Sequence, residues 1–205
     1  VAGQPAWGIL GGTFDPIHYG HLVAAECSRH EFGLEKVVFI PSARPPHKEL
    51  EGVLTADHRL RMVELAIKDN SGFALSTLEM ERSGPSFTVD TIQYLVDHFP
   101  GVVFHFIMGM DSLLLMDTWH NYRKLAILCR FIIVTRPGYR LDRTEPRLAN
   151  LPEQFWDQAH LLEIPGMDIS STDIRERIAA GRPIRYLVPG TVEAYIREHG
   201  LYLPE

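Results

Sequence analysis

The stretch Trp7-Gly8-Ile9-Leu10-Gly11-Gly12-Thr13-Phe14-Asp15-Pro16-Ile17-His18-Tyr19-Gly20-His21 decides how this chain is to be read. The apolar run at 7–10 predicts a β-strand, and it ends in paired glycines. Helical periodicity begins at Tyr19 and continues to Phe32, with Leu22, Ala25, Cys27 and Phe32 among its apolar positions. Glycines let the main chain approach a ligand closely, and a helix start turns free N–H groups toward an anion. His18 and His21 lie three residues apart and so share a helical face. Two imidazoles so placed can donate hydrogen bonds to charge that develops on a phosphate. The plain alternative is a tight strand-to-helix turn with two surface histidines. A metal pair is disfavoured, because no third ligand sits nearby and magnesium on phosphate prefers oxygen.

Outward from this turn, short β-branched runs alternate with longer periodic stretches. Strands are predicted at 36–40, 73–77, 102–108, 130–135 and 161–164, in addition to 7–10. Helices are predicted at 55–69, with Thr55 as its cap, at 88–99 before Pro100, and from Asp111 for a short run. Two more close the chain at 171–180 and 191–199, ended by Gly181 and Gly200. Residues 137–152 read as an irregular surface connection. Alternation of this kind predicts an α/β fold, a doubly wound, mostly parallel sheet with helices on both faces. Ligands bind such sheets at the carboxyl ends of the strands, where the strand order reverses. The loops at 11–18, 41–54, 109–110 and 165–170 are therefore the ones to watch.

The bulk composition limits the function classes. The 205 residues are 45% apolar, enough for a substantial core in one domain spanning 1–205, with 165–205 as a C-terminal helical part. A net charge of −6 argues against a nucleic-acid partner, which would call for a basic face. Cys27 and Cys129 are far apart and lie in apolar surroundings, so two buried free thiols and a reducing, cytoplasmic compartment are expected. No apolar run reaches the roughly 18 residues of a membrane span. Residues 1–7 lack the charged start and long apolar run of a signal peptide, and the chain opens on Val1 rather than Met, as a processed or trimmed start would. A homo-oligomer is compatible with all of this.

Three further segments carry chemistry. Pro45-Pro46-His47-Lys48 is a stiffened loop after the second strand, and it brings a positive charge to the sheet's C-terminal edge. A solvated lysine is the bland reading. In Ser83-Gly84-Pro85-Ser86-Phe87-Thr88, Ser86 or Thr88 could simply cap a helix. Trp119 offers an indole on which a flat ring could stack, although tryptophan more often serves packing. In Ile169-Ser170-Ser171-Thr172-Asp173-Ile174-Arg175, hydroxyls at a helix start and an arginine on the same face suit phosphate oxygens. The alternative is an ordinary capped helix.

Together these motifs resemble the HxGH-type nucleotidyltransferases, and specifically the bacterial nicotinate mononucleotide adenylyltransferases. GGTFDPIHYGH at 11–21, PPHK at 45–48, the E-x-x-R-x-G-x-S-Y-T-x-D-T-like run from Glu79 to Thr91, Gly109 with Asp111 and Trp119, and ISSTDIR at 169–175 occur in the family's order. Phe87 stands where the family has tyrosine, keeping the ring and losing the hydroxyl. Tyr186-Leu187-Val188-Pro189 and the tail to Tyr202 resemble the family's ending. The resemblance implies a Rossmann-like core. It implies ATP contacts from Gly11, Gly12, Thr13, Phe14, His18, His21, Gly109, Asp111, Ser171, Thr172 and Arg175. His18, His21 and Arg175 would act on the reacting phosphates. Asp15, Lys48, Thr88 and Trp119 would hold nicotinate mononucleotide. Mg2+ would travel on the ATP phosphates, with no protein metal site. The alternatives are an adenylyltransferase for the amide nicotinamide mononucleotide or for phosphopantetheine, a synthetase-like RNA enzyme, and a non-catalytic ATP sensor.

Overall fold

The computed structural model describes residues 3–44, 53–138, 141–143 and 145–204. Six strands form one sheet: β1 (Ala6–Gly12), β2 (Lys36–Pro41), β3 (Phe73–Leu75), β4 (Val103–Gly109), β5 (Arg130–Thr135) and β6 (Ala159–Glu163). The order is β3-β2-β1-β4-β5-β6, and every pairing is parallel. The chain winds outward from β1 in one direction and from β4 in the other. The order therefore reverses between β1 and β4, where Ala6 pairs with Val103 and Ile9 with Phe106.

Side chains alternate across the strands and sort into two cores. Ile9, Val38, Ile40, Phe106 and Phe131 pack on one face against α3 (Thr88–His98), α5 (Tyr122–Leu128) and α6 (Glu153–Gln158). Leu10, Val37, Phe39, Ile107 and Ile132 pack on the other, against α1 (Tyr19–Glu31), α2 (Ala56–Ile67), α7 (Ser171–Ala179) and α8 (Gly190–Glu198). A sheet covered on both faces explains why its central strands read as continuous apolar runs. The short α4 (Met110–Leu113) continues directly from β4.

Glycines set the helix ends. Gly33, Gly181 and Gly200 follow α1, α7 and α8 with φ of 57°, 67° and 59°. In each case the next residue donates its N–H back across the last turn: Leu34 to Arg29, Arg182 to Arg177 and Leu201 to Ile196. Gly8 has a different purpose. A Cβ there would stand 2.9 Å from Ile107 and 3.0 Å from both Leu34 and Val37, so its absence lets the α1 end close on the sheet.

Several local expectations need correction. Thr55 precedes α2 but makes no side-chain cap bond, and neither Ser86 nor Thr88 caps α3, whose preceding residue is Phe87. The third strand stops at Leu75, two residues early. α5 and α6 were not expected, and residues 137–152 are not purely surface, since Leu148 and Leu151 are buried. Cys129 is buried, whereas Cys27 is only partly so, and both are free. No helix among the described residues is long and apolar enough to cross a membrane.

Candidate active site

The turn between β1 and α1 is held from several directions. Ser42 donates its main-chain N–H to the Gly12 carbonyl at 2.9 Å. Arg59, on α2, donates to the Thr13 carbonyl at 2.8 Å. Arg175 donates Nη1–H to the Asp15 carbonyl at 2.8 Å, and Ser171 donates its hydroxyl to the Pro16 carbonyl at 2.9 Å. The carbonyls of Gly12, Thr13, Asp15 and Pro16 are thus occupied, which fixes the course of the turn. Phe14 adopts φ 50° with its ring buried, and a Cβ on Gly12 would stand 3.2 Å from that ring. This close approach is why the second glycine suits the motif.

His18 and His21 open α1, and their rings stack at 3.8 Å between centroids with 29° between planes. The main-chain N–H of His18 donates to Nδ1 of His21 at 3.3 Å. That bond requires a bare Nδ1, which puts the proton of the neutral His21 ring on Nε2. His18 is buried, its Nδ1 meets no partner among the described residues, and burial lowers its pKa to about 4. It is therefore a neutral donor at physiological pH rather than a cation. Gly20 makes room for it, since a Cβ there would lie 2.9 Å from His18 Nδ1.

Both histidines face a cavity of about 720 Å³ at the point where the strand order reverses. Gly11, Gly12, Gly109, Asp111 and Trp119 line it with them. At Gly109 nothing lies within 4 Å of where a Cβ would be, and Asp111 is exposed beside it. Trp119 stands edge-on to Phe106 at 5.8 Å. The cavity is also lined by residues not anticipated individually. Ser112 follows Asp111, Thr135 ends β5 and Arg136 follows it, and Met167 and Ile169 belong to the loop before α7. Arg136 pairs with Asp168 at 3.0 Å, joining these two segments.

The remaining anticipated residues that are described do not line this cavity. Thr13 and Phe14 form the supporting turn. Asp15 is turned inward: the residue is 3% exposed, and its carboxylate accepts a 2.7 Å bond from the Tyr202 hydroxyl. A direct side-chain contact from Asp15 to a mononucleotide is not what this geometry offers. Ser171, Thr172 and Arg175 sit at the α7 start, with Arg175 also donating to Thr172 at 3.3 Å. Ser170, rather than Ser171, caps that helix by accepting from Asp173 N–H. Thr88 opens α3 beside Phe87, whose ring stacks on His120 at 4.3 Å. His120 follows Trp119, so this stack brings the Thr88 and Trp119 ends together. Ser86 exchanges bonds with the main chain of Arg44, tying the start of α3 to the segment after β2. Lys48 and the rest of PPHK lie outside the described residues. Arg59 escaped notice in the sequence, and Tyr202 was noted only as part of the tail, because a helical arginine and a terminal tyrosine carry no local mark of what they hold.

The cytidylyltransferase-like family model matches residues 9–177. The "Probable nicotinate-nucleotide adenylyltransferase" of Moorella thermoacetica is 48% identical over 198 residues, covering 96% of this chain and 91% of that protein. The protein of the same name from Symbiobacterium thermophilum is 48% identical over 195 residues, covering 95% and 94%. Among solved structures, Plasmodium falciparum nicotinic acid mononucleotide adenylyltransferase complexed with NaAD superposes with a TM-score of 0.80, at 23% identity, over 97% of this chain and 98% of that one. At that identity the likeness speaks for the fold. The chain belongs to the cytidylyltransferase-like family and, within it, to the nicotinate-nucleotide adenylyltransferases.

Proposed function

We propose that this enzyme transfers the adenylyl group of ATP to nicotinate mononucleotide, giving nicotinate adenine dinucleotide and pyrophosphate. One observation carries the reading: a stacked histidine pair, with His18 buried, lining a cavity set where the sheet order reverses. A 5′-phosphate oxygen of the mononucleotide attacks the α-phosphorus of ATP in line. The bond from that phosphorus to the bridging oxygen breaks, and the electron pair leaves on pyrophosphate. No side chain becomes covalently involved, so rate comes from placement and charge stabilisation.

In this reading the whole chain is one nucleotidyltransferase domain, with 165–205 bringing the ISSTDIR helix to the site. His21 donates from Nε2 to the α-phosphoryl oxygens, and His18, kept neutral by burial, assists. Ser171, Thr172 and the remaining guanidinium protons of Arg175 face the outer phosphates. Gly109 leaves room for the ribose, and Asp111 accepts from its hydroxyls. Trp119 stacks on the pyridine, and Thr88 with the start of α3 meets its carboxylate. Lys48 contributes to the mononucleotide phosphate. Among the described residues no group of three or more His, Cys, Asp or Glu side chains could hold a metal ion. Mg2+ would be carried on the polyphosphate oxygens and would supply neutralisation of charge on the leaving group.

The test is direct. Purified protein with ATP, nicotinate mononucleotide and Mg2+ should release pyrophosphate, and the amide nicotinamide mononucleotide in parallel should react more slowly. His21→Ala should lower kcat/KM by about 10²–10³-fold, the scale of losing one donor to developing charge. Failure of the wild-type protein to release pyrophosphate, or survival of activity within a few-fold in the variant, overturns the reading.

A further inference from the structure

Arg59 is 1% exposed and does not line the cavity, yet it carries a charge into the interior. Burying a guanidinium is expensive, and apolar side chains would stabilise the same space more cheaply. What Arg59 gains there is four main-chain carbonyls. Nε donates to Leu54 at 3.0 Å, Nη1 donates to Thr13 at 2.8 Å and to Ser42 at 2.7 Å, and Nη2 donates to Ala43 at 3.3 Å. The Asp15 carboxylate supplies a Coulombic partner nearby. Thr13 belongs to the turn that carries the histidines. Ser42, Ala43 and Leu54 flank the segment that contains Lys48. One planar fork therefore joins the histidine turn to residues 42, 43 and 54 at fixed spacing, which a lysine, with a single nitrogen, cannot reproduce.

We propose that Arg59 is a positioning residue that sets the distance between the ATP-phosphate turn and residues 42–44, which Ser86 ties to the α3 start beside Thr88. The inference rests on the adenylyl-transfer reading above. Its consequence is a split: ATP binding is held by the histidines and α7, whereas reaction needs the two loops in register. A displacement near 1 Å between reacting groups can lower the rate about 10²-fold.

The experiment uses the full chain and three proteins: wild type, Arg59→Lys and Arg59→Gln. Calorimetry with ATP alone gives the number of competent sites and the Kd. Initial rates are then expressed per competent site. Both variants should bind ATP with a Kd within threefold of wild type and show kcat per site lowered at least tenfold, Arg59→Lys less than Arg59→Gln. A merely structural role would lower the number of competent sites and leave kcat per site unchanged, and that outcome overturns the proposal. So does a loss of ATP affinity equal to the loss of rate.

Should both variants fail to fold, hydrogen exchange on the wild-type protein decides. Nicotinate mononucleotide alone should slow exchange at residues 13–15 as well as at 42–44, and protection confined to 42–44 overturns the proposal. An inactive wild-type protein would instead sink the adenylyl-transfer reading itself, so the two failures are distinguishable.

Discussion

At the scale of single residues, Gly20 separates activity from stability more cleanly than the histidines do. It sits in the first turn of α1, where glycine costs about 1 kcal/mol relative to alanine. Its φ is outside the left-handed region, so alanine is allowed by the backbone. The obstacle is the His18 ring, with Nδ1 at 2.9 Å and Cε1 at 3.0 Å from the added Cβ. Gly20→Ala should therefore move His18 and lower kcat/KM by about 10²-fold. The helix gain offsets part of the clash, so Tm should change by only a few degrees. Steady-state kinetics beside thermal unfolding check this, and a fully active variant would show that the His18 ring position is unimportant. His18, Gly20 and His21 were legible in the sequence because their chemistry is packed into four consecutive positions. Arg59 was not: on a helix with amphipathic periodicity it reads as a solvent-facing charge, and only the fold reveals four carbonyls converging on it. Asp15 shows the converse, since a motif position suggested substrate contact and the fold pairs its carboxylate with Tyr202.

At the scale of elements, long helices and central strands were legible, and short helices at the far edge were not. α6 has six residues, too few for a helical period to repeat, and it follows a stretch rich in turn-forming residues. Its contribution is decided by packing. Phe155 is fully buried, with ring centroids 4.7 Å from Phe131 and 5.0 Å from Trp156. Phe155→Ala should destabilise the protein by about 3–5 kcal/mol, the usual range for emptying such a site. Urea unfolding measures it, and a loss below about 1 kcal/mol would mean that α6 is peripheral. The cavity residues at the ends of β5 and before α7 were hidden for a related reason. Arg136 and Met167 lie 31 residues apart in sequence, and only the sheet order places both beside Gly11. The loop at 165–170 could be singled out in advance as a strand-following loop, but its individual side chains could not.

At the scale of the whole molecule, two buried histidines make stability depend on pH. His105 lies mid-strand in β4, 4% exposed, with Nδ1 lacking a partner among the described residues. Burial, with Arg130 and His160 adding positive charge nearby, lowers its pKa to about 4, and burial alone lowers His18 to about 4. In the unfolded chain each returns toward 6.5. Between these values the unfolded state binds more protons, so stability is fully present above about 6.5 and declines as pH falls toward 4. Buried Glu79 works in the opposite direction: its pKa is raised by burial, so acidification favours its folded form. The net curve mixes these signs, but a difference between two proteins isolates one of them. His105→Leu removes one titration and leaves His18 and Glu79 in place. Its urea midpoint should fall less than that of wild type between pH 7.5 and pH 5. Because His105 does not line the cavity, kcat/KM at neutral pH should stay within about twofold. Parallel curves for the two proteins would mean that His105 takes up its proton without unfolding. A loss of activity at neutral pH would mean that packing at His105, near the start of β4, is coupled along the strand to Gly109, which lines the site at its far end.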